Sequence, residues 1–190
     1  NITAQILINR GIADPQDAAN FLQPRLANLH DPFLLPDIEP AVDRIVEAII
    51  QGEQITIYGD YDTDGATSTA LAVLGLRAMG IDVQYLLPNR FEYGYGLSVE
   101  IVELALTLKP DLLVTVDNGI ASVEGVARAK EAGCQVLVTD HHLAGQSIPN
   151  ADAIVNPNQP DCAFASKAAC PRFRRERIRR AHSSGVPPFS

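Results

Sequence analysis

From residue 54 onward the chain alternates short, continuous apolar runs with longer segments whose apolar residues recur every three or four positions. The runs at 54–58, 83–87, 112–116 and 135–139 are rich in Val, Ile, Leu and Tyr, which fall on both odd and even positions. Apolar residues on both sets of positions predict strands buried on both faces, whereas a sheet with one wet face would alternate apolar and polar residues. The segments near 66–79, 98–108 and 121–132 predict helices, and Ala153 to Val155 a fifth short strand. Strand, helix and strand recurring about every 30 residues is the βα step of a parallel sheet. The expected fold class is therefore α/β, a parallel sheet flanked by helices.

The first 52 residues have a different texture. Ile2 to Ile8 is apolar-rich, Asp14 and Pro15 give a cap and a first-turn proline for a helix through Leu22, and Pro24 ends it. Pro32, Pro36 and Pro40 predict an extended connector over 28–40, and Ala41, Val42, Ile45, Val46 and Ile49 share one face of a helix over 41–50. The expected organisation is an N-terminal helical arm and connector over 1–52, an α/β body over 53–168, and a basic tail over 169–190. Residues 171–190 hold six arginines and one glutamate with almost no apolar periodicity. That composition predicts a solvated, disordered tail in preference to a nucleic-acid-binding arm.

Composition changes this picture little. At 190 residues, 46% hydrophobic and 20% charged, the chain is apolar enough for a packed core. No secretory-signal layout opens it and no apolar run reaches the roughly 18 residues of a membrane span, so a soluble cytoplasmic fragment is expected. Cys134, Cys162 and Cys170 form no CxxC pair, which predicts reduced, mostly packed thiols. A net charge of −8 speaks against a polyanion partner, and the first 170 residues are more acidic still, with nine basic and 22 acidic side chains. Bound cations override that inference, because they dominate the local field of a phosphate site.

The acids are not scattered. The first predicted strand runs into Gly59, Asp60, Tyr61, Asp62, Thr63, Asp64 and Gly65, the third ends at Asp117, Asn118 and Gly119, and the fourth at Asp140, His141 and His142. Ligands of open parallel sheets bind at the carboxyl ends of the strands. One aspartate cluster there reads as a solvated turn, and Asp64 reads equally as a cap for the following helix. Three clusters at equivalent positions predict a metal site. Carboxylates with imidazole suit Mn²⁺ or Mg²⁺, and two such ions about 3.5–4 Å apart serve hydrolysis of a phosphoester or phosphoanhydride. An EF-hand reading fails, since Leu71 stands where the bidentate Glu is required and a strand precedes the loop. A P-loop is absent, and Gly94 and Gly96 lack the third glycine of a dinucleotide fingerprint. In the 88–98 segment Arg90 is a candidate phosphate clamp and Tyr93 and Tyr95 candidate base-stacking residues, with a simple structured loop as the equal alternative.

YGDYDTDGATSTA at 58–70, VDNG at 116–119 and TDHH at 139–142 resemble the motifs of the DHH phosphoesterase family. With PNRFEYGYGLS at 88–98 and IVNPNQPDC at 154–162, the chain is most similar to that family's RecJ-type branch, over roughly residues 1–168. The resemblance implies Asp62 and Asp64 as ligands of two metals, Asp117 as the bridging carboxylate, His141 as an imidazole ligand, and Asp60 and His142 in supporting or phosphate-contacting roles. It implies Mn²⁺ or Mg²⁺ as cofactor and removal of mononucleotides from the 5′ end of single-stranded DNA in recombination and repair. A single-strand-binding protein and a helicase are the implied partners, with no membrane.

RecJ-type proteins continue into a fourth acidic motif, a second conserved domain and an OB-fold, whereas this chain departs from the pattern after residue 168. The expectation is an N-terminal fragment, from a truncated product or shifted frame, with an incomplete site and weak or no activity. Two alternatives stand beside it. One is another DHH hydrolase acting on short oligonucleotides, cyclic dinucleotides or pyrophosphate, and the other a non-catalytic binding module.

Overall fold

The computed structural model describes residues 1–23, 25, 29–159, 162 and 164. The helix stop expected at Pro24 and the tail expected over 169–190 lie outside the described residues. Two compact units divide at Asp31 and Pro32. The first holds α1 (Ile2–Asn9) and α2 (Pro15–Leu22). The carboxylate of Asp14 accepts from the amides of Gln16 at 2.7 Å and Asp17 at 3.1 Å, so α2 starts on the expected cap with Pro15 in its first turn.

The second unit runs α3 (Ile38–Gln51), β1 (Ile55–Gly59), α4 (Thr63–Arg77), β2 (Val83–Leu86), α5 (Arg90–Tyr93), α6 (Val99–Leu106), β3 (Leu112–Val116), α7 (Val123–Glu131), β4 (Gln135–Thr139) and β5 (Ala153–Val155). All five strands are parallel in the order β2-β1-β3-β4-β5. Successive side chains of a strand point to opposite faces, and the core divides accordingly. Ile57, Val114, Leu137 and Val155 pack with α3 and α4 on one face, while Leu113, Val136, Val138 and Ile154 pack with α6 and α7 on the other.

Two local expectations are revised. The helix grouped with the N-terminal arm starts earlier, at Ile38, and buries Ile38, Ala41, Val42, Ile45, Ala48 and Ile49 within the sheet unit. Its Pro40 lies in the first turn, where the missing N–H costs no helical bond, so the expected connector gives way to a 3-10 turn at Pro32–Leu34 and helix. Asp37 leaves its helix uncapped, adopts a left-handed φ of 53°, and accepts at 3.1 Å from the amide of Ile154 on edge strand β5. The 88–98 segment is also not all loop, because α5 forms a single helical turn within it. No helix among the described residues is long and apolar enough to cross a membrane.

Candidate metal centre

The chain runs from β1 through α4 out to β2, then returns so that β3 pairs with the other side of β1. Adjacent strands whose connections leave in opposite directions open a crevice at their carboxyl ends. Register decides what fills it. Gly59, Val116, Thr139 and Val155 are partners across the sheet, so the residues one step beyond them form a row of Asp60, Asp117, Asp140 and Asn156. All four are buried, at 3%, 1%, 1% and 0% exposure. Four polar side chains withdrawn from water in one row are costly unless each is satisfied by a partner or an ion.

Asp140 is satisfied by protein. Its Oδ1 accepts from the amides of His141 at 2.7 Å and His142 at 3.0 Å and lies 2.7 Å from His142 Nδ1, while Oδ2 accepts from the amide of Ile120 at 2.9 Å. Burial works against protonation of His142, but the hydrogen bond and charge of Asp140 outweigh it and hold the imidazole pKa above its ordinary value. On its other side, His142 Nε2 lies 3.2 Å from the Tyr95 hydroxyl.

Asp117 is not satisfied. Both its oxygens are buried without a hydrogen-bond partner, and its backbone is held at a left-handed φ of 66°. The amide of Asp117 donates to Thr139 O at 2.9 Å, which extends the β3–β4 ladder and holds the residue in place. His141 Nε2 lies at ion-pair distance from Asp117 Oδ1, 2.8 Å, and both atoms belong to a group close enough together to share one ion. Burial, and then the charge of Asp62, push the Asp117 carboxyl up to about 6. Ligand atoms of Asp60, Asp62 and Asp117 lie within 4.8 Å of one another, as do those of Asp117, His141 and His142. Asp117 is thus common to two groups of oxygen and imidazole donors, a set that fits Mn²⁺ or Mg²⁺.

The structure brings together Asp60, Asp62, Asp117, His141 and His142, with Tyr95 at their edge. Asp64 is in neither group; its side chain is exposed in the first turn of α4. The cap expected of Asp64 is made by Asp62, whose Oδ1 accepts from the amide of Gly65 at 2.9 Å, and that bond holds Asp62 below the usual carboxylate range. Gly65 is required there, since a Cβ would stand 2.4 Å from the backbone oxygen of Asp60. Arg90 begins α5 beyond β2, its side chain outside the described features. Tyr93 packs partly against the α6–α7 core, so of the two tyrosines only Tyr95 is exposed.

Tyr95 is held from behind. The buried Tyr58 hydroxyl donates to Gly96 O at 2.9 Å and the Leu97 amide donates to Ser122 Oγ at 3.0 Å. Burial, followed by the charges of Asp140, Asp60, Asp117 and Asp62, raises the Tyr95 hydroxyl above its ordinary range. Asp140 was read from sequence only as a member of the fourth strand-end cluster, and Asn156 and Asn158 only within the IVNPNQPDC run, none of them with a role of its own. Their signal was positional: Asp140 follows β4 as Asp117 follows β3, and the asparagines follow β5 at the same sheet edge.

The model of the DHH family, N-terminal domain, matches residues 54–181. The single-stranded-DNA-specific exonuclease RecJ of Haemophilus influenzae is 55% identical over 144 residues, which is 75% of this chain and 25% of that protein. RecJ of Dickeya dadantii is 50% identical over 165 residues, 86% of this chain and 28% of that protein. Among solved structures, an exonuclease RecJ bound to manganese superposes with a TM-score of 0.68 at 34% identity, over 84% of this chain and 41% of that one. RecJ from Thermus thermophilus in complex with Mn²⁺ gives 0.63 at 34% identity, over 85% and 22%. The chain spans about a quarter of the length of the curated relatives it matches.

Proposed function

The chain belongs to the DHH family, and from that premise we propose that it contributes the metal-binding half of a 5′ to 3′ exonuclease that releases mononucleotides from single-stranded DNA. The observation that carries the reading is Asp117: a carboxylate only 1% exposed, with no hydrogen bond to either oxygen and His141 Nε2 at ion-pair distance, common to the Asp60–Asp62 and His141–His142 groups. Relatives at 50% identity or more are named single-stranded-DNA-specific exonucleases, and solved relatives hold manganese.

In this reading Asp60, Asp62, Asp117 and His141 hold the ions, and Asp64 supplies a further carboxylate from the turn that carries Asp62. Bound there, Mn²⁺ or Mg²⁺ polarises a phosphate and makes water more acidic. Asp140 fixes the His142 ring, whose raised pKa favours a cationic imidazole beside a phosphate oxygen. Arg90 clamps a second phosphate oxygen and exposed Tyr95 offers a face for a base, with Tyr93 a packed support. The phosphoesterase body is assigned to the stretch expected over 53–168. Cytoplasmic action in recombination and repair, with a single-strand-binding protein and a helicase, completes the proposal.

The test is Mn²⁺-dependent release of nucleotides from 5′-labelled single-stranded DNA by this chain, beside a version extended to the length of its relatives. Mononucleotides from the extended version are expected, with weak or no release by this chain alone. If neither acts on DNA, the substrate assignment falls. Turnover of short oligonucleotides, cyclic dinucleotides or pyrophosphate would then put another DHH reaction in its place, and salt-sensitive binding without turnover would favour a binding module.

A further inference from the structure

After Asp140 the chain leaves β4, and no regular element intervenes before β5. His141 and His142 therefore sit on irregular backbone, yet a ligand must be held to within a fraction of an ångström. Asp140 secures their amides. Their carbonyls are secured from the next strand: Asn156 Nδ2 donates to His142 O at 3.0 Å, and Asn158 Nδ2 donates to His141 O. Asn156 is fully buried, and its Oδ1 accepts from the Asn158 amide at 2.7 Å, so both ends of its amide are engaged. Pro157 between them restricts the backbone.

We propose that Asn156 and Asn158 are positioning residues that set the ion affinity of the centre by holding the carbonyls of His142 and His141. The inference rests on the metal-centre reading above. An apolar residue at 156 would fill the same buried space without needing partners. A fully buried amide spent on the His142 carbonyl and the Asn158 amide has ordering of that loop as its consequence.

Mn²⁺ binding to the full chain, without DNA, is read from the free-ion EPR signal for wild type, Asn156→Asp, Asn158→Ala and the control Val102→Ala. Asn156→Asp keeps size and the acceptor for the Asn158 amide but loses the donor. Its added negative charge would by itself tighten cation binding, so weakening cannot come from charge. Loss of affinity of about tenfold or more is expected in both asparagine variants. Val102 lies at 0% exposure in the α6–α7 core, and Val102→Ala is expected to lower the metal-free melting temperature while affinity stays within twofold. Affinity within twofold of wild type in both asparagine variants overturns the proposal and leaves the centre standing. So does a loss in Val102→Ala as large as theirs, which would mark a general effect of destabilisation. Wild type that binds no Mn²⁺ overturns the metal-centre reading and this inference with it. If Asn156→Asp does not fold, Asn158→Ala decides alone.

Discussion

Replacing Asp117 by Asn should stabilise the metal-free protein, and by an amount that depends on pH. The carboxyl of Asp117 is raised from 3.8 to about 6, chiefly by burial and then by Asp62. An acid whose folded pKa lies above its unfolded value binds protons more tightly when folded, so the native state loses stability as pH rises through that interval and regains it on acidification. A difference of about two pKa units corresponds to about 3 kcal/mol at pH 8, about half of that at pH 5, and well under 1 kcal/mol by pH 4. Asparagine keeps the shape without the charge and tolerates the left-handed φ of 66°. That backbone benefit does not vary with pH, so the slope is the informative quantity. Thermal melts in EDTA from pH 4 to 8 should show the variant ahead by about 5–10 °C at pH 8 and converging with wild type in acid. A variant equally or less stable at pH 8, or a difference that ignores pH, would refute the account of a carboxylate kept charged for an ion.

Saturating Mn²⁺ should close most of that gap. At about 100 times its dissociation constant the ion contributes about 2.7 kcal/mol to wild type, and Asp117→Asn should show little shift by differential scanning fluorimetry. Tyr58→Phe removes the buried bond to Gly96 O, costs about 1 kcal/mol, and should raise KM for single-stranded DNA in the extended protein while kcat changes less than twofold, as steady-state rates would show. Gly65→Ala sets a methyl 2.4 Å from the backbone oxygen of Asp60; a loss of roughly 2–4 kcal/mol in urea melts is expected.

The apolar runs were enough to read the sheet: β3, β4 and β5 occupy the expected residues, and β1 is displaced by one position because Gly59 still pairs with Val116. Continuous Val, Ile and Leu mark burial on both faces whatever the tertiary setting. Strand order is another matter. Nothing in a single βα step says that β3 returns to the far side of β1, and that return brings Asp117 beside Asp60 and Asp62. The acids could be read as candidates but their meeting could not. Asp62 caps α4 where Asp64 fits as well by spacing, because the choice depends on where the helix begins. α3 resembled an arm helix, since its apolar stripe says that it packs and not on what. Asn156 and Asn158 carried resemblance within IVNPNQPDC but no role, because an asparagine beside a proline is ordinary turn composition.

The buried row beyond the strand ends also bears on how the protein folds. Its members come from four strands, so no local segment can form the centre early, and a slip of one residue in any ladder would turn that strand's contribution to the opposite face. Competence to hold an ion should therefore emerge only in the last cooperative step, when all the ladders are in register. An ion selecting that state would slow unfolding without hastening folding, acting as a latch on the finished sheet and not as a template for it.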